Sequence, residues 1–227
     1  VVTDDPYQPT ERRPIAARGW PIWQRTARWL ARRGVSPNGI SLAGMACGIG
    51  AGIALAATPH VAGWERAAWL AAAALIQGRL LANLLDGMVA IESGRASAVG
   101  ELYNEVPDRV SDTATILGAG HAVGGDVILG GLAACAAMFT AYVRALGKAA
   151  GGRHEYCGPM AKQQRMALLT VVALAGGLLP AAWLPARGPA DGRGLVAAAL
   201  VVIIVGSLIT AARRLSRIAA ALRSRAP

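Results

Sequence analysis

Residues 83–108 read NLLDGMVAIESGRASAVGELYNEVPD, setting carboxylates and amides at helical spacings inside an otherwise apolar chain. Asn83 and Asp86 are three apart and Asn104 and Asp108 four apart, so each pair shares one face of a helix. Gly87, Ala90 and Gly100 lie between and beside them, which predicts two short polar helix faces joined by a tight connection of small residues. Oxygen donors grouped in this way among apolar helices point to a metal site in a membrane.

Just outside this stretch the polar surface continues. Arg79, Asn83 and Asp86 stand at i, i+4 and i+7, so a cation, an amide and a carboxylate form one stripe. On the next helix Glu101, Asn104, Glu105, Asp108 and Asp112 extend over about three turns. Six of the thirteen acids fall between Asp86 and Asp112. Ionisable groups at membrane depth are costly and face a cavity or a partner, so solvated surface charge does not account for Asp108 and Asp112. Arg79 and Arg109 are the cations placed to neutralise some of them.

Composition leads to the membrane independently of this cluster. Hydrophobic residues make up 54%, mean hydropathy is +0.41 and charged residues are only 16%, below the roughly 25% of soluble domains. Apolar runs predict an all-α integral membrane protein with six transmembrane helices, near 38–58, 66–91, 99–121, 125–147, 164–184 and 194–212, each close to the ~20 residues a bilayer requires. Lys and Arg distribute accordingly. With both termini cytoplasmic, the N-terminal segment, the loops holding Arg95 and Arg144 to Arg165, and the C-terminal residues from Arg213 on are basic, while only Arg66, Arg187 and Arg193 fall outside. The site then opens to the cytoplasm of a bacterial inner (cell) membrane.

That bias also explains the net charge of +10 and the pI near 10.7 through anionic membrane lipids as partners. Nucleic acid is not a predicted partner, because groove-reading or stacking elements are needed and aromatics are only 5%. Cys47, Cys135 and Cys157 are widely spaced and indicate neither disulfides nor zinc. His60, His121 and His154 each lack a second ligand at metal-binding spacing. The polar, Arg-rich beginning is unlike a signal peptide.

Four regions follow. Residues 1–15, with Pro6, Pro9 and Pro14, read as a flexible N-terminal tail. Residues 16–35 alternate Trp20, Ile22, Trp23, Ala27 and Leu30 with Arg18, Arg25, Arg28, Arg32 and Arg33, as suits an amphipathic juxtamembrane helix in the headgroup region. Residues 36–213 read as the six-helix membrane domain, which would be catalytic on the family resemblance carried by residues 83–108, entered through Ser36 as N-cap and Pro37 at the first helical position. Gly44, Gly48, Gly50 and Gly52 mark close helix packing there. Residues 214–227 read as a basic cytoplasmic tail.

The spacing at 83–108 resembles the signature of the CDP-alcohol phosphotransferase family, Asp-x2-Asp-Gly-x2-Ala-Arg-x8-Gly-x3-Asp-x3-Asp. Asp86, Gly87, Ala90, Gly100 and Asp108 fall on matching positions; Asn83, Asn104 and Ile91 replace two aspartates and the arginine. It looks closest to a bacterial branch with Asn at the first and third positions, as Asn104, Glu105, Asp108 and Asp112 also suggest. The resemblance implies transfer of a phosphatidyl group from CDP-diacylglycerol to an alcohol acceptor with release of CMP, in phospholipid biosynthesis, by a homodimer. It implies metal ligation of Mg²⁺ or Mn²⁺, as two ions, by Asn83, Asp86, Asn104 and Asp108. Asp108 would also be the catalytic base, and Gly87, Ala90 and Gly100 would lie against the nucleotide.

The two Asn residues lower the site charge from −4 to −2, so Glu105 or Asp112 is expected to compensate. Arg95 stands four residues beyond Ile91, where it either supplies the missing cation to the nucleotide or is carried away by the connecting loop. Around 156–165, YCGPMAKQQR resembles the branch's Gly-Pro-x2-Lys-x2-Arg segment. Arg144, Lys162 and Arg165 are the candidates for binding the acceptor or its phosphate, beside a reading in which they are only positive-inside charge. Two other functions stay open: a relative that binds CDP-lipid without turnover, and a cation- or proton-coupled transporter using Asp86, Asp108 and Asp112, although no inverted repeat is evident.

Overall fold

The computed structural model describes residues 16–152, 155–180, 183–184 and 192–224, and among them all regular structure is helical. The expected N-terminal tail, Arg153 and Arg187 lie outside the described residues. After a single 3₁₀ turn at Ala16–Gly19 come α1 (Pro21–Arg32), α2 (Pro37–Ala57), α3 (Glu65–Glu92), α4 (Ala98–His121), α5 (Val127–Ala149), α6 (Lys162–Leu178) and α7 (Leu195–Arg223).

Each of the six expected spans has its helix. Four of them, α2, α3, α5 and α7, are long and apolar enough to cross a membrane. The α4 helix carries the acidic series, and α6 has 17 residues, or roughly 26 Å at 1.5 Å per residue. The sequence places the end of α6 near 184, whereas it stops at Leu178. Leu179 takes an extended ψ of 150° because the following Pro180 disfavours helical backbone before it. At the other end of the chain, α7 runs past 212 to Arg223. Ala211, Ile218 and Leu222 continue its apolar face, and Ile218 packs on Val143 of α5, so the first part of the expected basic tail is helix.

Small residues decide how α2 sits. It packs on both α3 and α4, and its glycines meet backbone directly. A Cβ on Gly48 would collide with Ser111, one on Gly52 with the Ala114 carbonyl, and one on Gly118 with the backbone of Gly52. Thr115 uses the same approach, its hydroxyl donating to the Gly48 carbonyl at 3.0 Å. Around this contact lies the core of Ile76, Ile116, Met166, Leu200 and Ile203, all fully buried. Outward-facing Ile128, Leu132 and Phe139 on α5 and Val202, Val205 and Leu208 on α7 leave the apolar exterior that lipid covers.

Helix α1 is two-faced. Ala27, with Trp23 and Leu30, packs on Leu85 and Val89 at the end of α3. Arg25, Arg28 and Arg32 are exposed, as are Trp20, Ile22 and Trp29, and the Arg33 guanidinium stacks over Trp29. Exposed tryptophans interleaved with arginines suit the headgroup layer, where an amphipathic ring has both environments within reach.

Candidate functional site

The polar stripes predicted on α3 and α4 face each other across the end of the bundle where α3 finishes and α4 begins. The turn between them is anchored locally: Ser97 caps α4, its side chain accepting from the Gly100 N–H at 3.0 Å. Above the stripes opens a cavity of about 650 Å³. Asn83, Asp86, Asn104 and Asp108 line it, together with Gly87, Ala90 and Gly100, Glu105, Arg95, Arg144, Lys162 and Arg165. Thus residues drawn from α3, α4, α5 and α6 converge on one space. Ile91, on the position where the family signature has arginine, points away and is exposed, while Arg95 lines the wall.

At the floor, Asn83 joins α3 to α4. Its Nδ2 donates to Asn104 Oδ1 and to both carboxylate oxygens of Asp108, each at 3.1 Å. Lys162, the first residue of α6, reaches into the same cluster. Its Nζ donates to Asn83 Oδ1 at 2.6 Å and forms an ion pair with Asp108 Oδ2. Arg79 approaches Asp108 from below, with Nη2 3.5 Å from Oδ1 and 3.2 Å from the Asp108 carbonyl.

Asp86 has a different environment. It is 3% exposed, and its Oδ2 accepts from the Ser41 hydroxyl at 2.8 Å while Oδ1 accepts from the Gly87 N–H. Ser41 lies on α2 one turn after Pro37. A separate void of about 10 Å³, enough for about one water-sized particle, is lined by Ser41, Asn83, Asp86, Asn104 and Asp108, with Gly44, Met45, Pro107 and the guanidinium-bearing Arg79 completing its wall. Its oxygen donors suit a hard divalent cation, so Asp86, Asn104 and Asp108 are the residues fitted to hold one. Among the described residues no three His, Cys, Asp or Glu side chains gather in a metal-holding group; amide oxygens have to complete such a site.

Asp112 is set one turn deeper and does not line the cavity. Its two oxygens face two arginines: Arg79 Nη2 at 2.6 Å and Arg165 Nη2 at 3.0 Å. Arg79 and Arg165 are each 1% exposed. Arg79 also donates to Ser111 at 2.8 Å, and Arg165 to the Met160 carbonyl at 2.9 Å. This arrangement ties α3, α4 and α6 together beneath the cavity. Buried charges persist when paired and hydrogen-bonded in this way.

Glu105 stands on the cavity wall and pairs with Arg144 and, at 3.3 Å, with Arg109. Arg144 also lies over the ring of Tyr156. Further along the wall are Arg18, Lys148 and Arg214, giving the lining a clear excess of cations over Asp86, Glu105 and Asp108. Arg214 is buried, donating to the carbonyls of Thr140 at 2.7 Å and Cys157 at 3.1 Å. Sequence reading missed Ser41 and placed Arg214 in the tail. A lone serine one turn into an apolar helix was the available signal for the first; the apolar spacing continuing beyond Arg214 was the signal for the second.

No protein-family model matches the chain. Over 166 residues it is 28% identical to the inner membrane protein YnbA of Escherichia coli K12, covering 70% of this chain and 79% of that protein. Its fold is similar to that of the phosphatidylinositol phosphate synthase PgsA1 of Mycobacterium tuberculosis. The form in complex with manganese and citrate matches with a TM-score of 0.66 over 87% of this chain and 88% of the synthase, at 23% identity. The form with CDP-DAG bound matches at 0.63 over 87% and 93%, at 22% identity. Apolar spans, the inner-membrane relative and this shared architecture together make the chain an all-helical integral membrane protein with the fold of that synthase.

Proposed function

We propose that this chain is a CDP-alcohol phosphotransferase of the inner membrane, transferring a phosphatidyl group from CDP-diacylglycerol to an alcohol and releasing CMP. The observation that carries this reading is the convergence of Asn83, Asp86, Asn104 and Asp108 on the floor of one cavity whose walls are predominantly cationic. A floor of oxygen donors suits a cation, and walls of arginine and lysine suit phosphates. PgsA1, whose fold this chain shares, has been captured with manganese and with CDP-DAG. The reading includes six spans, a site open to the cytoplasm and, from the family likeness, a homodimer.

In this chemistry the acceptor hydroxyl oxygen attacks the phosphatidyl phosphorus. The new O–P bond forms as the bond from that phosphorus to the bridging oxygen breaks, and CMP leaves with that oxygen and its electron pair. Asp108 takes the hydroxyl proton. A divalent cation on Asp86, Asn104 and Asp108 would supply charge neutralisation at the pyrophosphate. Arg95 is placed for the nucleotide phosphate, and Gly87, Ala90 and Gly100 keep side chains out of the nucleotide's way. Arg144 and Arg165 are read as the acceptor side. Asp112 is read as the clamp that positions Arg79 and Arg165.

The test is CMP release from CDP-diacylglycerol by purified protein in lipid with Mn²⁺ or Mg²⁺ and a pool of alcohols. Metal-dependent release that drops about 10²–10⁴-fold in Asp108→Asn, the range for loss of a general base, is the expected result. CDP-diacylglycerol binding without CMP release from any acceptor would favour a binding protein. Absence of binding as well would defeat the reading.

A further inference from the structure

The Asn83–Asp108 cluster contains a cation of its own. Lys162 is 9% exposed, and its Nζ bonds to the Asn83 carbonyl oxygen at 2.6 Å and to Asp108 Oδ2. These oxygens are two of the donors that a pair of divalent ions would need. We propose that the Lys162 ammonium permanently fills one of the two cation positions of the site, which therefore takes a single divalent cation. The proposal rests on the functional reading above and concerns the metal content of the same site.

Three features converge on it. First, replacing two carboxylates by Asn83 and Asn104 leaves Asp86 and Asp108 as the charged members of the quartet. With one ammonium added the quartet keeps a net charge of −1, which one divalent ion already exceeds by one; a second would leave +3 unbalanced, with the Arg79 guanidinium close to Asp108 adding to the repulsion. Second, the Asn83 amide is oriented by its partners. Its oxygen faces Lys162 and its N–H₂ faces Asn104 and Asp108, so it presents a donor where an aspartate would present a second ligand oxygen. Third, Lys162 is anchored at the start of α6, one turn before Arg165, which is itself fixed by Asp112. The ammonium is therefore held in place by the fold. What remains is the void of about 10 Å³ bordered by Asp86, Asn104 and Asp108, with Arg79, Met45 and Pro107 also on its wall, room for no more than one ion.

The substitutions and the lysine explain each other. An aspartate pair emptied of one metal would leave carboxylates repelling at close range; amides remove that repulsion, and the ammonium satisfies the oxygens that remain. Lys162 is here a positioning residue for Asp108 and Asn83, with no bond made or broken on it.

Stoichiometry of Mn²⁺ on the purified chain in lipid nanodiscs, counted by calorimetry and by electron paramagnetic resonance, tests this. The expected result is one Mn²⁺ per chain with the spectrum of an isolated ion. The variant combining Lys162→Met with Asn83→Asp and Asn104→Asp is expected to bind two, with the broadening of a coupled pair. Two Mn²⁺ on the unmodified chain, or none, overturns the proposal, as does a folded triple variant that still binds one. Should the triple variant not fold, Asn83→Asp alone is used: with Lys162 retained it stays at one, and a second ion overturns the proposal. Two ions with CMP release intact sinks this inference and leaves the transferase reading standing; CDP-diacylglycerol binding lost together with Mn²⁺ sinks both.

Discussion

Two adjoining faces of α4 are held to their neighbours by opposite means. Where α2 crosses α4, contact is backbone on backbone: Gly48, Gly52 and Gly118 leave no room for a Cβ, and Thr115 adds a hydroxyl bond across the seam. On the adjoining face, α3, α4 and α6 are joined through side chains, with Asp112 between Arg79 and Arg165 and Asp108 shared by Asn83, Lys162 and Arg79. Helices in lipid gain little from apolar burial against each other, since lipid is equally apolar. Close van der Waals packing and paired polar groups are the two remaining sources of cohesion. This chain uses the first where it needs only a scaffold and the second where it needs a cavity.

The contrast can be broken most sharply at Asp112. Removing it leaves two buried guanidinium groups without their shared carboxylate, and breaking a buried pair costs about 3–5 kcal/mol. Asp112→Ala is expected to lower the thermal midpoint of the protein in detergent strongly, and a midpoint equal to the unmodified chain's would show that the clamp contributes no cohesion. At the glycine seam, Gly52→Val forces α2 away from the Ala114 carbonyl. Overpacking of this kind costs about 1–3 kcal/mol, so a smaller drop in the midpoint is expected, together with retained Mn²⁺ binding; loss of the ion would show that seam and cavity are not separable.

The smallest effect belongs to the loop side, away from the cavity. Asp126 caps α5 by accepting from the Leu129 N–H at 2.9 Å and pairs with Arg193 at 2.7 Å. The backbone bond first and the arginine second hold its carboxyl below the ordinary value of 3.8. A depressed folded-state pKa means the added stability is present above the ordinary carboxylate range and disappears as pH falls through the lower folded value. Unfolding followed from pH 6 down to 2 should therefore converge for the unmodified chain and Asp126→Ala at the acid end; a difference that widens on acidification would contradict the cap.

Much of this was legible before any coordinates. The six helices of the bundle stood out because long apolar runs leave few alternatives, and the α3 and α4 stripes because ionisable residues at periods of three and four are rare in such runs. The cavity wall also followed, since Arg95, Arg144 and Arg165 were grouped with the motif and line the same space. Local spacing could not assign partners. Lys162 is 54 residues from Asp108 and 79 from Asn83, so nothing in either segment's periodicity says that its ammonium enters the acid and amide cluster. Asp112 was indistinguishable from Asp108 by spacing, because a four-residue step keeps the face and changes only the depth. The expected end of α6 failed for a local reason, Pro180, that could have been read from sequence.

Helix α1 reaches the site by a route separate from the bundle. It packs on the end of α3 through Ala27, and the turn before it brings Arg18 to the cavity wall, while Trp20, Ile22 and Trp29 face outward. One wall of the cavity is thus fastened to the segment whose exposed tryptophans and arginines suit the headgroup layer. On the proposed function, a reactant whose tails stay dissolved in oil and whose head stays dissolved in water meets this cavity without leaving either phase, and the draught at which the protein floats becomes a dimension of the site.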